Sequence, residues 1–363
     1  MGKLGKSIVY VFVALLIVFT TACGSKDKQV NSSSESGGNG GKKGTIVLKV
    51  ADSYPTTHVI SKEGIDIWMK EVEKRTDGKV TFKYFPAEQL GKADSLLDVL
   101  KNNVADIASN VPSYFGDRLM LATVPELPGT FKTTYQGSQA YHKMLMENKE
   151  LEKLYSSNGV RPLWGALLGP YQVSTVNKKI KTLDDFKDLK IRASGNTQEL
   201  IYQSLGAAPI SMPAPDQYMA LQRGTIQATS YMVPNWEAYS LQEELKYSST
   251  NGAFGTTAIT YLINEKTWKS LPEDVRKAMI EAGKTTMEHF SKYMDNEFDN
   301  SVEKFKKQGI DMYEISDKEL ESIYKIIQKP TFDDWIKKAG KNGHDARSVL
   351  NEYQKLVEES PLE

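Results

Sequence analysis

Between Lys190 and Pro234 short apolar runs alternate with stretches of helical periodicity, and no other feature limits the fold of this chain as strongly. Lys190-Ile191-Arg192-Ala193 reads as a strand and Thr197 to Leu205 as a helix. Ala207 to Met212 reads as a second strand, followed by a helix to Arg223 and a third strand over Thr225 to Tyr231. Short strands separated by helices of about ten residues imply parallel βαβ units. In open parallel sheets, ligands lie beyond the carboxyl ends of the strands. Arg192 stands at such an end, before the loop Ser194-Gly195-Asn196. A guanidinium there offers a planar fork of donors that matches a carboxylate.

The amino-terminal part repeats the plan. Ile46, Leu48 and Val50 mark a strand, and Ile65, Trp68 and Val72 lie on one face of a helix. Val80, Phe82 and Tyr84 mark a second strand, Ser95 to Lys101 a helix, and Val104 to Ser109 a third strand. Leu100–Ala108 aligns with Leu221–Thr229, each a helix end turning into a strand. Two such units facing each other form a cleft, and hinged closure around a ligand is how periplasmic binding proteins work. Gly165 to Val176, apolar and broken by glycine, reads as the strand crossing between lobes, and Asn251 to Ile263 as the return to the first. A helix starts at Pro272 and runs to about Lys307, with Gly309 as its stop. At roughly 50 Å it outreaches one lobe and should span both. The expected fold is therefore α/β, a two-lobe periplasmic-binding-protein-like fold with a long helix across both lobes. Residues 45–170 with about 235–285 form lobe I, and 171–234 with about 286–363 form lobe II.

The termini and composition narrow the function. Lys3 and Lys6 precede an apolar run, Ile8 to Phe19, too short to span a bilayer comfortably. Thr20-Thr21-Ala22-Cys23-Gly24 closes it as a lipoprotein signal peptide over 1–22 would, making Cys23 the lipidation site. Residues 23–44, rich in Ser, Gly, Asn and Lys, read as a flexible tether. The expected location is extracytoplasmic, anchored to the cell membrane through acylated Cys23. A net charge of +0 over 363 residues argues against nucleic acid as the partner. With 1 Cys and 4 His, none in an H-x-x-x-H pattern, no metal or cofactor is expected. There is no G-x-S-x-G either, and an enzyme is not the expected reading.

From about Ile46 to Gly283 the chain resembles the solute-binding proteins of tripartite ATP-independent periplasmic (TRAP) transporters, the DctP-like group. The phrases that carry the resemblance include Val72-Glu73-Lys74-Arg75-Thr76-Asp77-Gly78-Lys79-Val80 and Pro86-Ala87-Glu88-Gln89-Leu90-Gly91. Ile180 to Arg192, Leu205-Gly206-Ala207-Ala208-Pro209-Ile210, Tyr218 to Gly224 and Leu271 to Arg276 follow in the same order. The resemblance implies capture of a small organic acid for a TRAP membrane permease, with Arg192 as the carboxylate clamp. Where relatives carry a second arginine near the crossing, this chain has Tyr171-Gln172. It has Gln227-Ala228 after the Gly224 turn and Ser230-Tyr231 at the strand end. These departures imply a less charged pocket, suited to a monocarboxylate or a hydroxylated acid. Tyr171, Gln172, Tyr231 and Trp236 are the further ligand candidates, with Asn110 and Tyr114 at the equivalent end of lobe I. Tyr54 and His58, near the end of the first strand, complete the set; His58 has the alternative of capping its helix. A sensor acting on a membrane signalling partner would use the same features.

Overall fold

The computed structural model describes residues 45–341 and 343–362. The expected signal peptide, tether and Cys23 lie outside the described residues. The first unit runs β1 (Ile46–Ala51), α1 (Asp66–Arg75), β2 (Val80–Phe85), α2 (Leu96–Lys101) and β3 (Ile107–Asn110). β1 is parallel to both β2 and β3, as the alternation predicts. After α3 (Thr134–Glu147) and α4 (Lys149–Ser157), β4 (Val160–Leu167) completes one side of this sheet. The chain then enters a second sheet through β5 (Gln172–Thr175). There β6 (Lys190–Ala193), α5 (Asn196–Ser204), β7 (Ala208–Ser211), α6 (Gln217–Gln222) and β8 (Ala228–Tyr231) repeat the parallel plan. α7 (Leu241–Glu244) and β9 (Tyr247–Ser249) follow, and β10 (Ala258–Asn264) returns to the first sheet. Their orders are β2-β1-β3-β10-β4 in the first sheet and, with β11 (Asp311–Tyr313), β11-β9-β5-β8-β6-β7 in the second.

The period of two along the strands sorts the first sheet into two faces. Leu48, Val50, Ile259, Tyr261 and Ile263 bury toward α1 and the long helix, whereas Ala51, Ala108, Ala258 and Leu262 bury on the opposite side. After α8 (Glu265–Ser270), the long helix α9 (Glu273–Lys307) carries Val275, Met279, Ala282, Thr286 and Phe290 inward at helical spacing. Its last turns bury Val302 and Phe305 near Trp236 of the second unit, so it touches both lobes.

The matched turns Leu100–Ala108 and Leu221–Thr229 share their geometry. Val104 N–H donates to Val99 O at 3.0 Å and Thr225 N–H to Ala220 O at 2.9 Å. Asn103 and Gly224 occupy the left-handed position in each. Asp106 accepts the Lys49 N–H at 2.8 Å, and Gln227 accepts the Lys190 N–H at 3.4 Å. Gln227 is thus a turn residue at the amino end of β8, and its lack of charge says nothing about the pocket.

Three expectations need correction. Gly165 to Val176 is two strands in different sheets, separated by 168–171, where Pro170 has no N–H to give a ladder. That crossing pairs with the returning one through Leu168 N–H to Thr257 O, 3.1 Å, and Tyr171 N–H to Gly255 O, 2.9 Å. Residues 235–249 stay with the second sheet, because β9 bonds to β5, and the return begins only at 250. The carboxyl-terminal helices do not all belong to lobe II. α10 (Asp317–Ala339) buries Leu320, Ile323 and Ile327 against the second unit, but Trp335 and Ala339 against the first. α11 (Ala346–Glu359) joins the first unit's core through Val349, Leu350, Tyr353 and Val357.

Candidate functional site

Side chains alternate along β6, so while Ile191 enters the second unit's core, Arg192 points the other way, toward the first unit. It is 0% exposed. Its Nε donates to Met212 O at 3.1 Å and Nη1 to Ser230 O at 3.1 Å. Nη2 donates to the Tyr114 hydroxyl at 3.3 Å, a contact between the two units. The guanidinium also lies 5.6 Å from the ring centroid of Tyr231. No carboxylate of the described residues forms an ion pair with it. Of five N–H donors three are used, and each Nη keeps one. Held by carbonyls and a phenol, this buried cation lacks the anion that ordinarily accompanies one.

Tyr114 continues the arrangement. Its oxygen accepts from Arg192 and from Ala214 N–H at 3.0 Å, which occupies both lone pairs and leaves its proton to donate. Beside it stands an aromatic wall. Tyr171 meets Tyr231 edge-on at 5.6 Å, Tyr231 lies 6.3 Å from Tyr239, and Tyr239 lies 5.5 Å from His58. His58 in turn packs on Tyr54 at 4.4 Å. The His58 Nδ1 accepts Ile60 N–H at 3.1 Å, and its Nε2 lies 3.3 Å from the Tyr231 hydroxyl and against the Asn235 side-chain amide. Burial holds His58 well below the usual histidine range, and it is neutral. Behind Tyr54, Asp52 accepts the hydroxyls of Tyr261 at 2.6 Å and Tyr84 at 3.0 Å; burial pushes it up to about 6 against these bonds.

Two buried polar atoms here have no partner among the described residues: Asn110 Nδ2 and the Tyr239 hydroxyl. Each such group costs about 1–3 kcal/mol when left unpaired, and groups of this kind mark sites built for a polar molecule. The lobes meet closely around them. A Cβ on Gly195, which follows β6, would lie 2.5 Å from Ser113 O on the opposite lobe.

The structure brings Arg192, Tyr171, Tyr231, Tyr114, Tyr54 and His58 into one cluster, with Asn110 at the matching strand end of the first unit. Two further candidates are engaged by other elements of the fold. Trp236, which follows the 3-10 turn Val233–Asn235, stacks on Phe305 of α9 at 4.9 Å and is fully buried. Gln172 gives its amide to the crossing: Oε1 accepts Ser249 Oγ at 2.9 Å and Gly252 N–H at 3.0 Å, and Nε2 donates to Gly252 O. Sequence reading missed Asn235, Tyr239 and Glu126. The Pro234-Asn235 turn after β8 was the available signal for the first two. For Glu126 it was an acid alone in the apolar run Leu121 to Leu127.

Residues 51–338 match the family model described as bacterial extracellular solute-binding protein, family 7. A solute-binding protein of Albidiferax ferrireducens is 25% identical over 302 residues, 80% of this chain and 87% of that one. Among solved structures, a TRAP periplasmic solute binding protein from Desulfovibrio salexigens is 28% identical, with a TM-score of 0.74, over 88% of this chain and 97% of that one. A TRAP solute binding protein from Rhodoferax ferrireducens, in complex with copurified benzoate, has a TM-score of 0.80 at 24% identity, over 87% and 98% of the two chains.

Proposed function

The chain belongs to the bacterial extracellular solute-binding proteins of family 7, and on that premise we propose that Arg192 captures the carboxylate of a small organic acid. The protein is a receptor rather than an enzyme, works outside the cytoplasm, and delivers its acid to a TRAP-type permease. The observation that carries the reading is a fully buried arginine with no carboxylate partner among the described residues, oriented by two carbonyls and a tyrosine. Its two free N–H groups and the Tyr114 proton supply three donors to one anion. Charge-assisted bonds of that kind are about twice as strong as neutral ones. Because Tyr114 and His58 come from one lobe and Arg192 and Tyr231 from the other, ligand binding favours the closed arrangement. The benzoate of the Rhodoferax protein is an acid of the proposed class.

Calorimetric titration of variants tests the clamp with the acid recovered from the purified receptor by native mass spectrometry. Removing one member of a buried charge pair costs about 2–5 kcal/mol. Arg192→Ala should therefore bind roughly thirty-fold to several thousand-fold more weakly. Arg192→Lys keeps the charge but loses the fork and should stay clearly impaired. Unchanged affinity in Arg192→Ala sinks the clamp.

Anchoring through acylated Cys23 is part of the same proposal, supported by the lipobox-like Thr21-Ala22-Cys23-Gly24. Acyl chains contribute about 0.8 kcal/mol per buried CH₂, so the mature protein should pellet with membranes and Cys23→Ala should remain an unprocessed precursor. Wild-type protein free of lipid in the culture medium would exclude the anchor.

A further inference from the structure

One tyrosine of the cleft carries a hydroxyl that the fold does not use. Tyr239 ends the 3-10 turn Glu237–Tyr239, which follows β8 and the Val233–Asn235 turn. Ser240 next to it takes the left-handed backbone, φ 56° and ψ 25°, uncommon for a residue with a side chain. Leu241 N–H then donates to Trp236 O at 3.0 Å and closes the turn. The Tyr239 ring stands where the lobes meet, 6.3 Å from Tyr231 of its own lobe and 5.5 Å from His58 of the other. Tyr231 lies 5.6 Å from the Arg192 guanidinium, so it neighbours the clamp as well as Tyr239. The Tyr231 oxygen is already engaged, accepting from Asn235 Nδ2 at 2.9 Å, and the Tyr114 oxygen accepts from Arg192 and Ala214. The Tyr239 oxygen is buried and has no partner among the described residues. Burial holds this phenol well above the usual tyrosine range, so it keeps its proton and can both donate and accept. A buried hydroxyl left unpaired is costly, and a ligand group that pairs with it removes the cost.

We propose that Tyr239 is a specificity-determining residue that binds a hydroxyl at the far end of an aromatic carboxylic acid. The inference rests on Arg192 as the clamp and adds the class of acid. With the carboxylate on Arg192, the body of the ligand lies along Tyr231 and its far end reaches Tyr239. The rings beside that path favour an aromatic body. Tyr171 and Tyr231 are inclined at 65°, Tyr231 and Tyr239 at 55°, and Tyr239 and His58 at 64°, so the wall offers both ring faces and ring edges. A flat ring gains offset or edge-on contacts from such a wall beyond the area it buries. A polyhydroxylated aliphatic acid is the rival class, and each of its hydroxyls would need a polar partner once the cleft closes. The two unpartnered polar atoms of the cleft, the Tyr239 hydroxyl and Asn110 Nδ2, suit one or two substituents on an apolar ring rather than a hydroxyl on every carbon.

The test uses receptor refolded free of ligand and titrated calorimetrically with benzoate, 3-hydroxybenzoate and 4-hydroxybenzoate, with lactate and succinate as aliphatic controls. At least one hydroxybenzoate should bind the wild type about two-fold to ten-fold more tightly than benzoate, the worth of one neutral hydrogen bond. Tyr239→Phe should lose that preference and keep its affinity for benzoate. Its melting temperature without ligand should equal or exceed that of the wild type, because the missing hydroxyl bonds to no described residue. The proposal is overturned if no aromatic acid binds, if an aliphatic acid binds more tightly than all three, or if the wild type shows no hydroxyl preference. These wild-type results decide against it even if Tyr239→Phe does not fold. A lower melting temperature in Tyr239→Phe overturns it too, since the hydroxyl would then be bonded within the fold. So does a preference that survives Tyr239→Phe but is lost in Asn110→Ala, which assigns the ligand hydroxyl to Asn110. Arg192→Ala separates the two readings, because it should lose benzoate and the hydroxybenzoates alike. If it does so while Tyr239→Phe keeps the preference, the clamp stands and the role of Tyr239 falls. If Arg192→Ala binds all three acids as the wild type does, the clamp falls and this inference with it.

Discussion

Gly195→Ala tests whether the contact between lobes is part of binding. Gly195 has φ 157° and ψ −168°, a region open essentially to glycine alone. It lies three residues after Arg192, and its partner across the cleft, Ser113, immediately precedes Tyr114. An alanine Cβ would stand 2.5 Å from Ser113 O, 2.9 Å from Ser113 Cβ and 3.1 Å from Ser113 C. Two of these atoms are backbone and cannot swing away. The substitution has two separable effects. Strain at the residue itself costs about 1–3 kcal/mol in open and closed forms alike, so it lowers the melting temperature without changing affinity. The clash exists only when the lobes meet. Overpacking of this kind costs about 1–3 kcal/mol, which weakens binding roughly five-fold to 150-fold. Titration calorimetry with the receptor's acid reads the second effect and thermal melting the first. Small-angle scattering should show that saturating acid contracts the wild type more than the variant. If Gly195→Ala binds with wild-type affinity and contracts equally, the seam between Gly195 and Ser113 does not form in the bound receptor and the reasoning fails.

Trp236→Ala should lose about 3–5 kcal/mol of stability in denaturant melts, as large aromatic deletions from a core do, while the folded fraction keeps its affinity. Lost affinity with unchanged stability would return Trp236 to the cleft. Gln172→Ala strips partners from Ser249 and Gly252 in the returning crossing and should cost about 1–3 kcal/mol by chemical denaturation. An unaltered midpoint would show that the crossing does not depend on that amide.

The parallel units, the long helix and Arg192 at a strand end were legible in the sequence because each rests on local rules. Strand and helix periods come from neighbouring residues, and a βαβ unit places the strand's carboxyl end without reference to the rest of the chain. The equivalence of the Asn103 and Gly224 turns is local in the same sense. What happens between distant segments was decided only by packing. β9 could have joined either sheet, and its bonds to β5 settled it. The apolar face of α11 fits any apolar surface, and the one it found belongs to the first lobe. Trp236 and Tyr231 are five residues apart and equally aromatic, yet Phe305, some seventy residues away, buries the first while Arg192 and His58 gather round the second. Glu126 was legible only as an acid in an apolar run. Burial pushes its carboxyl up against the opposing pull of Ala258 and Arg192, groups more than sixty residues away in sequence, and no local pattern encodes that. Periodicity determines which residues face inward; which inward faces meet, and so which charges go unopposed, depends on the tertiary fold, because desolvation and pairing act through space rather than along the chain.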